Sequence, residues 1–529
     1  MRGTYTRRAI GRLAATGAIM ATVVGAAPGK IYRVDLVIRG GTIFTGSAEP
    51  FTGDVAIKGD HIVDVGPHLN VAPVRTIDAR GMIVAPGFID PHTHAGDMLA
   101  NPDARTRLVL PFLMQGVTTA FIGNDGGGDP DVAATLARAR TSPVGINYAT
   151  YVGFGPVREK VIGEARRDPT DAELTRMKSL VATAMCQGAI GFSTGLFYAP
   201  QSFSKTPEVV ALAREAGARG GVYDSHIRDE SSYTVGLAAA IDEAIEIGRA
   251  AGMPAHISHI KALGVDVEGT APAIIAKVDA ARRAGQNVTA SQYPWSASGT
   301  SLVASLMPLW AQDGGRQALL RRFDDRSLQE RLAKDITENL RKRGGPEKLL
   351  ITEGAEKGRT LAQVAARLKQ NPVAAAITTI RVQDPGVVSF NQSERDIAAF
   401  MRQPWVMTGS DASPGHPRVY GTFARKYDKY VKQDHVLTLR AFIERSTSLT
   451  ADTFGLAGRG HLRAGAFADV VVFDPKTFAS RATYDQPELF ASGVRTVIVN
   501  GRIAIDNGKT TGVAAGRALY HVTPKGSCA

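Results

Sequence analysis

Two histidines at the end of a short apolar run are the first feature that could do chemistry. Residues 87–94 read Gly-Phe-Ile-Asp-Pro-His-Thr-His, so His92 and His94 are spaced i, i+2. Side chains alternate between the two faces of a strand, and both imidazoles therefore point the same way. Neutral imidazole is a common zinc ligand, so the pair predicts half of a metal site. The pair alone also fits two hydrogen-bonded histidines at a strand end, and the prediction requires further ligands elsewhere.

Four more ligand-type residues stand at the ends of other short apolar runs. They are Asp125, His226, His259 and Asp411. In barrel enzymes the chemistry lies at the carboxyl ends of the strands, which is where this pattern puts all of them. The sequence therefore predicts one metal centre that contains His92, His94, Asp125, His226, His259 and Asp411.

Eight short apolar runs alternate with amphipathic segments and would position these side chains. They are residues 87–94, 117–124, 146–152, 189–194, 222–227, 255–260, 288–293 and 405–410. Eight such alternations are typical of an α/β fold of the (β/α)8 TIM-like barrel type, which we expect over residues 86–460. The long gap between the seventh and eighth runs predicts a helical insertion at about residues 311–385 beside the mouth of the barrel.

Strand-like runs separated by turn residues occupy both ends of the chain. Residues 27–85 contain several of them, and residues 461–529 contain more before a short tail. A sheet shared between the two ends would bring them together around the barrel. We therefore expect a small β-sandwich domain formed from both chain ends.

Composition limits the partners and the cell compartment. The net charge of +12 comes without a basic patch interleaved with aromatic residues, so nucleic-acid binding is not predicted. Residues 1–26 resemble a twin-arginine signal peptide, which predicts export to the periplasm and no stable membrane anchor after cleavage. An uncleaved N-terminal helix is the alternative.

The chain has only two cysteines, Cys186 and Cys528. They are too few for a disulfide framework or a cysteine-rich zinc site, and neither is given a role.

The motifs around these residues resemble a known family in consistent order from about Val34 to Arg502. The run from Pro86 to His94 is similar to the amidohydrolase superfamily. More narrowly, seven segments resemble the N-acyl-D-amino-acid deacylase (D-aminoacylase) family: GFSTGLFYAP (191–200), SHIR (225–228), SHIK (258–261), YPW (293–295), GSD (409–411), HPR (416–418) and YGTF (420–423).

The resemblance implies a hydrolase of linear amide bonds with one or two zinc or other divalent ions. His92, His94 and Asp411 would serve one metal position, and His226 with His259 the other. The metal would acidify water, and Asp411 would act as general base and then as acid toward the departing amine.

Asp125 is the one departure from the family pattern, because those deacylases carry a cysteine there. A carboxylate is a harder ligand that can bridge two metals, so we predict that Asp125 keeps the ligand role with altered metal preference. A turn aspartate that caps the following loop is the alternative.

The same resemblance makes Tyr198, Lys261, Tyr293 and Arg418 candidates for binding the substrate, mainly its carboxylate. Residues 294–310 contain no Lys, Arg, Asp or Glu, and a buried side-chain carboxylate of the substrate would need a cation. We therefore expect neutral or hydrophobic substrate side chains. The preference for D-amino acids comes from the resemblance alone.

Two other functions remain open on the sequence. A metallo-dipeptidase that cleaves aminoacyl-D-amino acids would use the same carboxylate site and would need an acid for the free amine, for which Asp129, Asp229 or Glu230 could serve. A non-catalytic periplasmic binding protein is the alternative from a different class.

Overall fold

The computed structural model describes residues 31–528. The predicted signal peptide, residues 1–26, lies outside the described residues. Among those described, no helix combines the length and the apolar character needed to cross a bilayer.

The strands are numbered in chain order. They are β1 (Tyr32–Ile43), β2 (Phe51–Lys58), β3 (His61–Gly66), β4 (Val71–Asp78), β5 (Ile83–Pro86), β6 (Phe88–Asp90), β7 (Val117–Ile122), β8 (Asn147–Thr150), β9 (Val152–Gly153), β10 (Gly191–Gly195), β11 (Val222–His226), β12 (Ala255–Ile257), β13 (Val288–Gln292), β14 (Ala297–Ser301), β15 (Leu349–Ile351), β16 (Gly386–Phe390), β17 (Val406–Thr408), β18 (Val470–Phe473), β19 (Val494–Val499), β20 (Arg502–Asp506) and β21 (Lys509–Thr510).

The α-helices are numbered in the same way. They are α1 (Gly96–Leu99), α2 (Leu110–Leu113), α3 (Val132–Thr141), α4 (Phe154–Ile162), α5 (Asp171–Cys186), α6 (Thr206–Gly217), α7 (Leu237–Ala251), α8 (Ala271–Arg283), α9 (Leu302–Leu306), α10 (Leu309–Gln312), α11 (Gly315–Asp324), α12 (Gln329–Lys342), α13 (Leu361–Leu368), α14 (Pro372–Val382), α15 (Glu394–Met401), α16 (Arg418–Arg425), α17 (Leu439–Ser446) and α18 (Ser448–Thr453).

Strands β6–β13 and β17 form a closed parallel barrel. One run of neighbours is β6-β7-β8, and the other is β9-β10-β11-β12-β13-β17. A parallel bridge between Thr93 and Ala412 joins the first strand to the last. The strands are buried over their whole length, as in a parallel sheet covered by helices on its outer face. The α/β barrel expected from the alternating pattern is thus the observed fold.

Strands from both chain ends meet in one nine-stranded sheet. The order is β21-β20-β19-β18-β5-β1-β2-β3, with β4 paired to β1. The junction is the antiparallel pair β18 and β5, in which Val471 lies opposite Ala85. Because β5 leads directly into β6, this sheet fixes the start of the strand that carries His92 and His94.

The segment between β13 and β17 differs from the expected helical insertion at about residues 311–385. It begins earlier and ends later, because it contains a three-stranded antiparallel sheet. In this sheet β16 is the central strand and pairs with β14 on one side and β15 on the other. Helices α9–α14 pack on that sheet around a separate apolar cluster that includes Leu306, Leu332 and Ile380. The strands are short and the helices amphipathic, which is why the pattern favours helix throughout. We call residues 297–390 the insertion below.

The two cysteines, to which the sequence assigns no role, form a disulfide. Cys186 is the last residue of α5, and its partner Cys528 lies 342 residues further along the chain. The segment before Cys528 crosses the barrel, where Ala518 forms a bridge with Tyr148 and the backbone N–H of His521 donates to Gly188 O. The disulfide therefore ties the C-terminal segment to the barrel.

Candidate metal centre

The barrel brings all six predicted ligand residues to one place. His92 and His94 follow β6, Asp125 follows β7, His226 ends β11, His259 follows β12, and Asp411 follows β17. Their potential donor atoms form two groups that share Asp125. The groups are His92, His94, Asp125 and Asp411, and then Asp125, His226 and His259.

The first group has the spacing of a tetrahedral coordination shell. Four ligands about 2.1 Å from zinc lie about 3.4 Å from one another. Here Nε2 of His92 lies 3.3 Å from Asp125 Oδ1 and 3.6 Å from Asp411 Oδ1. Nε2 of His94 lies 3.4 Å from Asp125 Oδ2 and 3.2 Å from Asp411 Oδ1.

The second group meets the first at the Asp125 carboxylate. Asp125 Oδ1 lies 3.3 Å from Nε2 of His259 and 3.8 Å from Nδ1 of His226. The same two nitrogens are 3.0 Å apart. Asp125 Oδ2 faces His94, so the two oxygens of one carboxylate face both groups, as a bridging ligand requires.

Unpartnered polar atoms show that this donor set fits a divalent cation. His92 Nε2 and Asp125 Oδ1 are buried and have no hydrogen-bond partner. Leaving buried polar groups unpaired costs about 1–3 kcal/mol each. A divalent ion with imidazole and carboxylate ligands would satisfy them, and the mixture of nitrogen and oxygen donors suits zinc, cobalt or manganese.

Three of the six residues adopt a left-handed backbone conformation. The φ angles of Asp125, His259 and Asp411 are 55°, 35° and 49°. This conformation is disfavoured outside glycine and is retained where the surroundings enforce it. Gly195 makes room for the Asp125 turn, because a Cβ there would lie 2.3 Å from Asp125 O. The turns at the strand ends thus aim the carboxylates and the imidazole into the cavity.

Two buried acids below the centre hold these turns together. Asp90 Oδ1 accepts hydrogen bonds from the backbone N–H groups of His92 and Ser410, at 3.2 and 3.0 Å. Asp224 accepts from Ser258 Oγ at 2.6 Å and from Asn124 Nδ2 at 3.1 Å. Burial raises the pKa of Asp90 to about 7. These bonds connect the ends of β6, β7, β11, β12 and β17 beneath the ligands.

The two carboxylates carry negative charge into the centre. Burial alone would raise the pKa of Asp411, but Arg418 Nη1 lies 2.6 Å from its Oδ2, and this cation with His259 holds the pKa well below its usual range. Burial alone would also raise the pKa of Asp125, but His92 and His259 hold that pKa well below its usual range. Both side chains are therefore available as anionic ligands.

The imidazoles differ in their surroundings. Burial lowers the pKa of His226 to about 4, which leaves this ring neutral and able to bind metal. Burial also acts to lower the pKa of His94, but the carboxylates of Asp125 and Asp411 raise it to about 10. A metal ion that binds His94 therefore has to displace a proton.

The predicted substrate-binding residues line a cavity of about 420 Å³ above the centre. The Arg418 guanidinium lies over the Tyr293 ring at 4.9 Å, and Lys261 Nζ lies 5.6 Å from the centroid of that ring. Burial raises the pKa of Tyr293 well above its ordinary value, so its hydroxyl stays protonated. Tyr198 is on another side of the centre, with its ring 4.7 Å from that of His226.

Glu230, which the sequence names only as a candidate acid for a free amine, supports the second group of ligands. It accepts a hydrogen bond from Lys261 Nζ at 2.5 Å, and its Oε1 lies 3.2 Å from His259 Nδ1. Burial would raise the pKa of Glu230, but Lys261 and the two histidines hold it well below its usual range. Its position four residues after His226 is the only signal in the sequence.

Arg343 is a residue that sequence reasoning missed, because it comes from the insertion. It lines the cavity, with Nε donating to Ser305 O at 3.1 Å and Nη1 donating to Ser389 Oγ at 3.1 Å. Residues 294–310 carry no charge, but Arg343 still supplies a further cation to the cavity. Only the folded insertion brings Arg343 close to β14.

Two other histidines lie near the centre without joining it. His256 is packed inside the barrel, where Nδ1 bonds to Thr289 Oγ1 at 2.9 Å and the ring meets Phe454. His416 Nδ1 accepts from the backbone N–H of Arg418 at 3.1 Å, and its Nε2 bonds to Ala297 O. His416 thereby helps to orient the start of α16, which carries Arg418.

Relatives in sequence match most of the chain. The profile of the amidohydrolase family matches residues 75–505. A D-aminoacylase of Alcaligenes xylosoxydans xylosoxydans is 34% identical over 92% of this chain and 97% of its own. An N-acyl-D-glutamate deacylase of the same organism is 34% identical over 89% of this chain and 93% of its own.

Solved structures give the same result. A crystal structure of D-aminoacylase matches with a TM-score of 0.79 and 31% identity, covering 92% of this chain and all (100%) of that one. The N-acyl-D-glutamate deacylase of Bordetella bronchiseptica, in complex with zinc and a phosphonate mimic of the tetrahedral intermediate, matches with a TM-score of 0.78, 31% identity and the same coverage. The chain therefore belongs to the amidohydrolase family and, within it, to the N-acyl-D-amino-acid deacylases.

Proposed function

We propose that this protein hydrolyses the amide bond of N-acyl-D-amino acids at a zinc centre to which Asp125 would contribute a ligand for both groups. The observation that carries the proposal is the convergence of six ligand-type side chains, spaced for coordination, beside a buried guanidinium that can hold a carboxylate. The relatives named D-aminoacylase and N-acyl-D-glutamate deacylase support the substrate class.

His92, His94, Asp125 and Asp411 would hold one ion, and Asp125, His226 and His259 the other. The bound zinc would supply a Lewis acid that polarises the scissile carbonyl and acidifies water. A carboxylate at the bridging position is harder than a thiolate, so we expect cobalt and manganese to compete with zinc better than in relatives with cysteine there.

Asp411 would take the proton of the attacking water and return it to the departing amine. Its Oδ2 is held by Arg418, while its Oδ1 faces His92 and His94. Arg418 would also bind the substrate carboxylate, and this contact would weaken the ion pair between Arg418 and Asp411. The Asp411 carboxylate would then be a better proton acceptor when substrate is present.

The substrate carboxylate would bind between Arg418, Tyr293 and Lys261. A guanidinium can make two parallel hydrogen bonds to a carboxylate, a lysine adds a point charge, and a protonated tyrosine hydroxyl adds a directional donor. Lys261 is already paired with Glu230, so it contributes less free charge than Arg418. Tyr198, beside His226, would face the acyl group or the intermediate.

The dipeptidase alternative lacks an acid for the free amine among the three candidates. Asp129 is exposed. Asp229 is used by the backbone N–H groups of Ser231 and Gly236, and Glu230 is paired with Lys261. We therefore expect activity on N-acetylated substrates and none on dipeptides with a free N-terminus. Metal analysis and the same activity assay distinguish a deacylase or a dipeptidase from a non-catalytic binding protein, which would show no turnover of either substrate.

The preference for neutral side chains stays a prediction, and Arg343 is the residue that decides it. If the hydrogen bonds of Arg343 to Ser305 O and Ser389 Oγ keep its guanidinium in place, a carboxylate on the substrate side chain gains little binding energy from it. The prediction would be contradicted if the wild-type protein turned over N-acetyl-D-glutamate and N-acetyl-D-leucine at comparable rates and Arg343→Met lost activity on the glutamate substrate alone.

Export through the signal-like residues 1–26 is also proposed. The Cys186–Cys528 disulfide supports it, because disulfides persist in oxidising compartments such as the periplasm. Mass spectrometry of the protein from a periplasmic extract should find an N-terminus near residue 27. A full-length chain confined to the cytoplasm would contradict this.

The function is tested by a panel of N-acetyl D- and L-amino acids with zinc, cobalt or manganese. Hydrolysis of D-substrates that chelation abolishes and metal restores is the expected result. Activity confined to L-substrates would overturn the proposal.

A further inference from the structure

We infer that a groove between the barrel mouth and the insertion binds the acyl chain of the substrate, so that medium-length aliphatic N-acyl groups are better substrates than N-acetyl. The inference rests on the proposed function and adds to it the chemical class of the acyl group. The groove has a volume of about 450 Å³, which is within the usual range for small-molecule sites.

The direction of the substrate follows from the two ends of the metal centre. Arg418 pairs with Asp411 at one end, and Tyr198 packs on His226 at the other. Asp125 lies between them. An N-acyl amino acid whose carboxylate is held at Arg418 and whose carbonyl lies over Asp125 therefore extends its acyl group toward Tyr198.

The groove borders the active-site cavity at this point. Phe197, Tyr198 and Tyr233 line both the active-site cavity and the groove. Beyond them the wall is formed by the insertion, at the end of α9 and the start of α10. The residues there are Ala304, Met307, Pro308, Leu309 and Trp310. An acyl chain that passes Tyr198 meets this apolar wall next.

The charged residues that line the groove are each engaged by a neighbouring group. Lys342 Nζ donates to Ser232 O at 2.8 Å, and the Arg166 guanidinium lies over the Phe203 ring at 5.9 Å. Arg331 stacks on Trp310 at 4.0 Å, and Trp310 Nε1 donates to Asp335 at 2.8 Å. Arg228 pairs with Glu243, and Glu338 pairs with Arg341, each at 2.7 Å. An ammonium on the acyl group would have to break one of these pairs to reach a carboxylate, whereas an aliphatic chain would leave all of them in place.

The first test is a chain-length series with the full-length zinc enzyme. The substrates are N-acetyl-, N-butanoyl-, N-hexanoyl- and N-octanoyl-D-leucine. We expect kcat/KM to rise about two- to fourfold per added methylene, the gain available from burying one CH₂ group. A flat or falling series with intact N-acetyl hydrolysis would overturn the inference and leave the proposed function standing. No hydrolysis of any member would overturn both.

Variants locate the effect in the groove. Ala304→Phe narrows the groove that Ala304 and Tyr198 both line and should reduce the ratio of octanoyl to acetyl kcat/KM by about tenfold or more, since at least two methylenes lose their site. Leu309→Ala should reduce the same ratio about threefold. Ala333→Trp on the exposed face of α12 is the matched control and should leave the ratio unchanged. A normal ratio in both groove variants would overturn the inference.

Binding gives a readout that does not depend on turnover. Calorimetry with the Asp411→Asn variant should show tighter binding of N-octanoyl- than N-acetyl-D-leucine, and Ala304→Phe added to that variant should remove the difference. Melting temperatures within the error of the parent variant exclude misfolding as the cause. Equal affinity of the Asp411→Asn variant for the two ligands would overturn the inference.

Discussion

At the scale of single residues, the sequence identified the six side chains of the two ligand groups that the barrel brings together. The reason is that each stands where an apolar run ends, and strand ends in a parallel barrel converge. It named Glu230 only as a candidate acid for a free amine, and it did not identify Arg343, because their observed contacts depend on which loop folds over which strand. Asp125 is the residue whose role is tested first.

Replacing Asp125 should alter the metal content. Asp125→Ala removes the carboxylate that faces both groups of ligands, and we expect a loss of activity on the order of 100-fold or more together with loss of bound metal. Asp125→Cys should keep zinc and lose the ability to work with manganese, because thiolate is the softer ligand. Metal analysis by mass spectrometry and assays with each ion measure both. Full metal content in Asp125→Ala would show that Asp125 only caps its turn.

Arg418 should act through the substrate carboxylate. Charge-assisted hydrogen bonds are worth about 1.5–3 kcal/mol, so Arg418→Lys should lower kcat/KM by about tenfold or more. The matched control is a substrate that lacks the carboxylate, such as an N-acetyl amine. The wild-type enzyme should discriminate strongly against it, and the variant much less. Equal discrimination in both proteins would place the carboxylate elsewhere.

At the scale of elements, the barrel strands follow from their apolar character, whereas the insertion does not. The short strands β15 and β16 pair across intervening helices, so no local pattern reports the sheet that they form. The buried acids below the centre likewise act between elements. Asp224 ends no strand, yet it connects β7, β10 and β12 through Asn124, Ser193 and Ser258.

Asp224→Asn should weaken metal binding without unfolding the barrel. The amide brings an N–H₂ group toward donors that need an acceptor, so the ligand-bearing turns lose their common anchor. Loss of such supporting partners typically costs about 10- to 100-fold in metal affinity. Competition with a zinc-binding dye measures the change, and unaltered far-ultraviolet circular dichroism is the control. An unchanged zinc affinity would assign Asp224 to packing alone.

At the scale of the whole molecule, the two chain ends close around the barrel. The shared sheet was predicted from the similar strand-like runs at both ends. The disulfide was not, because two cysteines 342 residues apart give no local signal of proximity. It attaches the segment that ends at Cys528 to helix α5 of the barrel.

Reduction of the disulfide should lower the stability of the protein. A native disulfide typically contributes about 2–4 kcal/mol, mainly by restricting the unfolded chain. Cys186→Ser should therefore lower the melting temperature and also remove its dependence on a reducing agent. The Cys186→Ser, Cys528→Ser double variant should behave like the single variant. A wild-type melting temperature that does not respond to reduction would contradict the stabilising role.

The most direct measurement is kcat/KM of the purified protein for the two enantiomers of N-acetyl-leucine, before and after removal of metal. A carboxylate-bridged zinc centre of a deacylase predicts hydrolysis of the D-enantiomer by the metal-loaded protein, loss of that activity on chelation and recovery with zinc. Turnover of the L-enantiomer alone, or D-activity that survives complete removal of metal, would contradict it.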